Sequence, residues 1–187
     1  MTVVGDELLE LLKRCFGEDM VKKEWNIATK ADDFWEILRG KSYIPRLDYA
    51  IGPFNITGSV LENIKKIDNA YMVHFNLIQS FIKKSLTSIN GFDENWNHNP
   101  RCFIAIEVEN RSSIKHRLGS MLNASFMGKI GIIVAQNERV LESFRRLLTY
   151  LCIISKSKLK KTRILIPKNI IIIREQDFKE ELKRYFK

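Results

Sequence analysis

The stretch CFIAIEVENRSSIKHRLGSMLNASFMGKIGIIVA, residues 102–135, predicts a strand, a helix and a second strand in succession. The helix carries apolar side chains at helical spacing, namely Ile114, Leu118, Met121, Leu122 and Phe126. Ser112 or Ser113 can cap its amino end, and Gly128 ends it. Residues 129–135 are apolar without alternation, which is typical of a fully buried strand. Such a crossover is right-handed and places both strands in one sheet.

Three carboxylates lie on two predicted strands. Asp48 belongs to the β-like run 43–51, and Glu107 and Glu109 end the run 102–110. Because side chains alternate across a strand, the two glutamates leave the same face. They lie at the carboxyl end of their strand, where open α/β sheets commonly bind ligands. Carboxylate oxygens suit Mg²⁺, so these residues form a candidate metal site, although an alternating acidic edge is also typical of a solvated face.

The order of the predicted elements, together with these acids, resembles the PD-(D/E)XK nuclease superfamily. This order is an N-terminal helix, an Asp-bearing strand, the acidic strand, a helix and a buried strand. The sequence IEVENRSS, residues 106–113, is similar to the variant in which a second glutamate replaces the usual lysine. The resemblance covers roughly residues 1–57 and 101–135. It implies an α/β, restriction-endonuclease-like three-layer core, in which helices flank a central mixed β-sheet, with a helical insertion added.

The resemblance also implies an activity, the Mg²⁺-dependent hydrolysis of DNA phosphodiester bonds, with Mn²⁺ as a substitute metal. Asp48 and Glu107 match the metal-binding acids, and Glu109 occupies the position of the usual lysine. Glu109 would orient or deprotonate the attacking water. The Val108 carbonyl is implied as a further metal ligand. On the first helix, Glu7 is the better match to a glutamate that reaches the metal site in members of the superfamily.

The cation that the usual lysine supplies has no settled identity in this sequence. A second metal ion, Lys115 on the following helix or Lys129 at the start of the next strand could take its place. Pro45 also stands three residues before Asp48 instead of next to it. A catalytically inactive descendant of the fold, which binds nucleic acid or a protein partner, therefore stays an alternative to the nuclease.

An insertion at about residues 59–92 separates the two motif strands. Its apolar residues recur every three, four or seven positions, which predicts one long amphipathic helix or two in tandem. They are Leu61, Ile64, Ile67, Tyr71, Phe75, Ile78, Ile82 and Ile89. The insertion is either a cover packed on the sheet or the contact of a homodimer. A homodimer is expected if the chain makes double-strand breaks, because its twofold symmetry matches that of a duplex.

Basic side chains are concentrated near the carboxyl end. The chain has 31 Lys and Arg against 22 Asp and Glu, a net charge of +9. Residues 145–187 hold 13 basic and 4 acidic side chains and so account for the whole excess. Such a block is typical of polyanion binding, although a lysine-rich loop is also common as a solvated surface. The predicted contacts to double-stranded DNA are His116, Lys156, Lys158, Lys160, Lys161 and Arg163.

Length and composition predict a single domain over residues 1–187. A chain of 187 residues that is 45% hydrophobic can bury a core without disulfides. Cys15, Cys102 and Cys152 lack zinc-binding spacing, so we expect buried free thiols. No apolar stretch approaches the length of a membrane span, and the amino terminus lacks a signal-peptide plan. A cytoplasmic location without membrane attachment is the expectation.

Overall fold

The chain is an α/β protein in which helices lie on both faces of a five-stranded mixed sheet. The computed structural model describes residues 4–26, 45–56, 60–86, 91–110, 113–156 and 166–186. None of the described helices is both long and apolar enough to cross a membrane.

The sheet and its helices follow one another in a simple order along the chain. The strands are β1 Val21–Asn26, β2 Arg46–Phe54, β3 Cys102–Glu109, β4 Gly128–Ala135 and β5 Ile170–Arg174. The described residues also form six α-helices and a 3₁₀ turn at Glu18–Met20. The helices are α1 Val4–Phe16, α2 Val60–Val73, α3 Phe75–Lys84, α4 Ile114–Met127, α5 Glu138–Lys156 and α6 Glu175–Tyr185.

The strands lie in the sheet in sequence order, β1-β2-β3-β4-β5. The pairs β1–β2 and β2–β3 are antiparallel, whereas β3–β4 and β4–β5 are parallel. The predicted crossover is confirmed, since α4 connects two parallel neighbours, β3 and β4. Gly128 is needed at this junction, because an added Cβ would lie 2.8 Å from the Ala105 backbone nitrogen.

Two separate cores cover the two faces of the sheet. One contains residues of α1, α2, α3 and α6, for example Phe81 and Phe178, whose ring centroids are 4.7 Å apart. The other contains residues of α4 and α5, for example Met121 and Phe144. Every residue of β4 is buried, as expected for a strand covered on both faces. The arrangement is compatible with a three-layer α/β core.

The structure decides between the two alternatives for the insertion, which consists of two helices in tandem, α2 and α3, that meet at His74. Two other elements differ from the sequence-based expectation. A terminal helix is predicted from Glu180 to Lys187, but the helix begins at Glu175, directly after β5, and its first turn carries Glu175 and Asp177, which the helix macrodipole favours. Strand β1 was not predicted, because only Val21 and Trp25 of its six residues are buried.

Candidate functional site

The Asp48 carboxylate lies in a fork between β2 and β3. The last regular pair of the two strands at this end is Tyr49 with Ile106. One step further, Asp48 lies opposite Glu107, and its Oδ2 accepts a 2.7 Å hydrogen bond from the Val108 backbone N–H. A side-chain oxygen thus takes the place of a backbone carbonyl, which fixes the carboxylate between the strands.

Glu107 and Glu109 end β3 and are both buried, with exposed fractions of 8% and 6%. Helix α4 supplies their partners. Asn123 Nδ2 donates to Glu107 Oε1 at 3.4 Å, and Ser120 Oγ donates to Glu109 Oε2 at 3.0 Å. Positions 120 and 123 share one face of the helix, so one turn of α4 orients both carboxylates.

Burial and repulsion between carboxylates disfavour ionisation of Glu107 and Asp48. Burial first, and then the Asp48 and Glu109 carboxylates, raise the pKa of Glu107 to about 8, against the hydrogen bond from Asn123. Burial also raises the pKa of Asp48, against the hydrogen bond from Val108. Negative charge is therefore held in a poorly solvated place, where a bound cation would stabilise the ionised forms.

The acidic side chains fit a metal site in which the protein supplies only a few ligands. Within the described part of the chain, no three His, Cys, Asp or Glu side chains are gathered as a metal-binding group. Mg²⁺, however, keeps several waters and is commonly held by one or two carboxylates together with substrate phosphates. Asp48 and Glu107, opposite each other and both with raised pKa, match that requirement in donor type and charge.

A small cleft of about 170 Å³ opens beside Asp48. Its lining includes Lys23, Glu24, Val108, Gln136 and Glu175. Glu24 adopts a positive φ of 49°, which is uncommon for a residue other than glycine, and its charge adds to the negative field at Asp48. The cleft lies at the carboxyl ends of β3 and β4, where a ligand can approach Asp48.

Glu7 lines a neighbouring cleft of about 560 Å³, which shares Gln136 and Glu175 with the cleft at Asp48. Its carboxylate accepts hydrogen bonds from Lys179 and Lys183 of α6, both at 2.9 Å. These bonds, that from Lys183 first, lower the pKa of Glu7 to about 2. Glu7 therefore joins α1 to α6, and the structure does not bring it to Asp48.

Lys129 lies at the wrong end of the sheet to serve as the catalytic cation. The parallel register pairs Glu107 with Ile133, four residues beyond Lys129, which corresponds to about 13 Å along the strand. The Lys129 ammonium instead bonds Asp68 of α2 at 2.5 Å and lies 5.9 Å from the centre of the Tyr71 ring. The structure therefore does not bring Lys129 to the carboxylates, and it gives the ammonium an ion pair with Asp68.

Lys115 and His116 both lie in the first turn of α4, but on different faces of the helix. Both side chains are exposed. Lys115 precedes Ser120 by five residues, so it points about 140° away from the direction in which Ser120 meets Glu109. His116 precedes Ser120 by four residues and shares its face of the helix. His116 thus lies on the face of α4 that carries Ser120, whereas Lys115 lies on another face.

The predicted basic contacts fall largely beyond what the structure describes. Lys156 is the last residue of α5. Lys158, Lys160, Lys161 and Arg163 lie outside the described residues, so their part in DNA binding stays a prediction. Of the three cysteines, which are all free, Cys102 is buried and the other two are half-buried.

Sequence reasoning missed several residues at the site. Ser120 and Asn123 are polar positions on a face of α4 that is otherwise directed at the sheet, a signal that the helical pattern already contained. Gln136 directly follows the buried strand β4, so the rule that ligands bind at carboxyl strand ends points to it. Lys23 and Glu24 belong to β1, which the sequence did not reveal.

Comparisons with protein-family models, curated proteins and solved structures returned no match.

Proposed function

We propose that this chain is a Mg²⁺-dependent endonuclease that hydrolyses DNA phosphodiester bonds, with Mn²⁺ as a substitute metal. The observation that carries the proposal is the position of Asp48. It lies opposite Glu107 in the fork between β2 and β3 and is held there by the Val108 N–H. Two carboxylates of raised pKa thus lie opposite each other at the carboxyl end of β3, and one of them, Asp48, lines an open cleft.

Each acidic residue has a separate task in this proposal. Asp48 and Glu107 would hold the metal ion, and Asn123 orients Glu107 through its amide. When bound, the ion would polarise the phosphoryl oxygen as a Lewis acid and lower the pKa of a bound water. Glu109, oriented by the Ser120 hydroxyl, accepts the proton of the attacking water.

The order of the elements supports the same assignment. Helix α1, strand β2, strand β3, helix α4 and strand β4 follow one another in the order on which the resemblance to the PD-(D/E)XK superfamily rests. The N–H and C=O of one strand residue point to the same side of the strand. Because the Val108 N–H meets Asp48, the Val108 carbonyl is also directed toward β2, as expected of a further metal ligand.

Charge supports a nucleic-acid substrate. The net charge of +9 arises from residues 145–187, which hold 13 basic and 4 acidic side chains. His116, exposed on the site-facing side of α4, is suited to contact a phosphate. We propose double-stranded DNA as the partner, bound mainly through its backbone.

A nuclease-like protein that binds nucleic acid without cleaving it is the second candidate. It is favoured by the position of the two candidate lysines, since Lys129 pairs with Asp68 and Lys115 is turned away from Glu109. This candidate predicts salt-sensitive DNA binding without strand breaks, because phosphate contacts release counterions.

Incubation of the protein with supercoiled plasmid separates the two candidates. The nuclease is expected to nick or cut the plasmid with Mg²⁺ or Mn²⁺ and to stop when a chelator is added. The Asp48→Asn variant, prepared in parallel, controls for contaminating nucleases. Intact plasmid with both metals, at protein concentrations that retard DNA in a gel, would support the binding protein and overturn the nuclease.

A homodimer remains part of the proposal for double-strand cutting. Helix α2 of the tandem pair exposes Leu61, Met72 and Val73, with exposed fractions of 69–74%, and these side chains are the proposed contact. Light scattering at micromolar concentrations is expected to give twice the chain mass of 21.9 kDa. Monomers that nevertheless cut both strands would remove the dimer from the proposal.

A further inference from the structure

A cleft between α4 and α5 lies apart from the acidic residues. It has a volume of about 580 Å³ and a mainly apolar lining. The lining residues are Ile114, Arg117, Leu118, Ser143, Arg146, Leu147, Tyr150 and Leu151. Cavities of about 300–1,000 Å³ with apolar walls and few polar groups are the usual sites for small molecules.

Arg117 places a buried cation in this cleft. Its exposed fraction is only 4%. Within the described part of the chain, its Nε and Nη1 atoms have no hydrogen-bond partner. A guanidinium stays charged in proteins, and a buried charge without a partner is strongly unfavourable. Such a group indicates that the folded chain leaves a place for an anion.

The adjoining sequence offers no internal anion. The stretches next to α4 and α5 that lie outside the described residues are Arg111-Ser112 and residues 157–165. Neither stretch contains an aspartate or a glutamate. Glu142, next to Ser143 of the lining, already interacts with Arg145 and Arg146. Within the described part of the chain no carboxylate pairs with the Arg117 guanidinium, so the cleft is left open to an anion from outside the chain.

The walls determine what else the ligand must have. Ile114 and Tyr150 are 64% and 60% exposed, and Leu118, Leu147 and Leu151 continue the apolar surface inward. We propose that this cleft binds a small amphipathic anion, a molecule with one oxyanion head on an apolar body. The head pairs with the Arg117 guanidinium, and the body covers the leucines and the tyrosine ring.

A nucleic-acid backbone fits this cleft poorly. Phosphodiester chains are bound by exposed cations on polar surfaces, since each phosphate stays partly hydrated. Here Arg117 is buried and most of the lining is apolar, while Arg146, the second cation of the lining, is paired with Glu142. The lining of the cleft contains none of Asp48, Glu107, Glu109, Ser120 and Asn123, so its occupancy does not depend on the proposed cleavage reaction.

Isothermal titration of the metal-free full chain tests the site, with decanoate, decyl phosphate and decanol as probes below their aggregation concentrations. We expect decanoate or decyl phosphate to bind with a micromolar dissociation constant and decanol to bind at least tenfold more weakly. The two anionic probes distinguish a carboxylate head from a phosphate head, and preference for either one supports the site.

Variants assign the binding to Arg117. The Arg117→Met variant retains the length and apolar character of the side chain, so it is expected to lose at least tenfold in affinity for the anion while binding decanol unchanged. Removal of an unpaired buried charge should also leave its ligand-free melting temperature level or higher. The Ser143→Phe variant, which fills the cleft, should lose both anion and alcohol. Arg145→Met, outside the lining of the cleft, is the matched control and should bind as wild type does.

Three results would overturn the proposal. The first is equal affinity for decanol and the anions. The second is unchanged anion binding by Arg117→Met. The third is loss of duplex DNA binding by Arg117→Met when neither anionic probe binds wild type, which would assign the arginine to nucleic acid. None of these measurements involves cleavage, so failure here and failure of the nuclease proposal remain distinguishable.

Discussion

Asp48 and Val108 are joined by a 2.7 Å hydrogen bond from the backbone N–H of one residue to the carboxylate of the other. The bond ends the row of hydrogen bonds between β2 and β3, at the point where the two strands separate. A proposed metal ligand is therefore also part of the hydrogen-bonding of the sheet. Substitutions at position 48 must be chosen so that loss of the metal and loss of the sheet contact can be told apart.

The first prediction separates these two roles of Asp48. Asp48→Asn retains an oxygen that can accept from the Val108 N–H, so its stability should stay within about 1 kcal/mol of wild type while cleavage is abolished. Asp48→Ala leaves the half-buried N–H without this acceptor and should cost about 1–3 kcal/mol. Urea denaturation and plasmid nicking measure the two effects. Full cleavage by Asp48→Asn would exclude the residue as a metal ligand.

The second prediction concerns pH and Glu107. Its pKa rises from 4.5 to about 8 on folding. The neutral form is therefore favoured in the folded state, and the stability that it contributes is complete below pH 4.5 and is lost as the pH rises through 8. If half of the pKa shift is expressed as a loss of folding free energy, that loss is about 2 kcal/mol. It corresponds to roughly 4–8 °C in Tm for a chain of this size. Glu107→Gln should remove this loss and melt higher than wild type above pH 8 without metal.

Thermal melts of wild type and Glu107→Gln from pH 4.5 to 9, in the presence of a chelator, check this prediction. Glu10→Gln on the exposed side of α1 is the control, because its carboxylate is solvated. Addition of Mg²⁺ should stabilise wild type at high pH and leave Glu107→Gln unchanged. Parallel curves for all three proteins would show that Glu107 is ionised in the folded state at no cost.

The third prediction concerns Glu109. The Glu109→Gln variant retains the hydrogen bond to Ser120 but cannot accept a proton from water. Removal of a general base typically costs about 10²–10⁴-fold in rate. Single-turnover cleavage should fall by this factor, whereas the melting shift produced by Mg²⁺ should stay as in wild type. Loss of the Mg²⁺ shift would instead make Glu109 a metal ligand.

The fourth prediction follows from the position of Lys129. Lys129→Met breaks the ion pair with Asp68, which is half exposed and can be hydrated, so the loss of stability should stay near 1 kcal/mol. Cleavage should remain within about threefold of wild type, since the ammonium lies about 13 Å along the strand from the Glu107 level. Lys115→Met should behave alike. A hundredfold loss of rate with an unchanged melting temperature would make either lysine catalytic.

The fifth prediction concerns a buried amide at the junction of α4 and β4. Asn169 Nδ2 donates to the carbonyls of Ser125, Gly128 and Lys129 at 3.0–3.2 Å, and its Oδ1 accepts from the Ser125 hydroxyl. Asn169→Ala should cost about 2–4 kcal/mol in urea denaturation, because buried groups lose their partners. The matched variant is Asn97→Ala. Asn97 donates to overlapping carbonyls, but water can replace its half-exposed amide, so we expect about 1 kcal/mol. Equal losses would contradict this account.

The elements whose signal is local could be predicted from the sequence. Residues 102–135 contain continuous apolar runs and a helical period, and the structure confirms both strands, the helix and their parallel pairing. Strand β1 escaped prediction because four of its six residues are not buried. The start of α6 was missed because Glu175-Gln176-Asp177 shows no apolar period. In the structure the helix begins at Glu175, directly after β5 ends.

The sequence by itself determined which carboxylates the chain offers and that Glu107 and Glu109 leave one face at the carboxyl end of a strand, since side-chain alternation is a property of the strand alone. Only the tertiary structure decided that Asp48 lies opposite Glu107 and that Lys129 does not, because strand register depends on contacts between distant parts of the chain. The same holds within Lys115-His116-Arg117. Successive helical residues point about 100° apart, so the packing of α5 buries Arg117 and leaves the other two exposed.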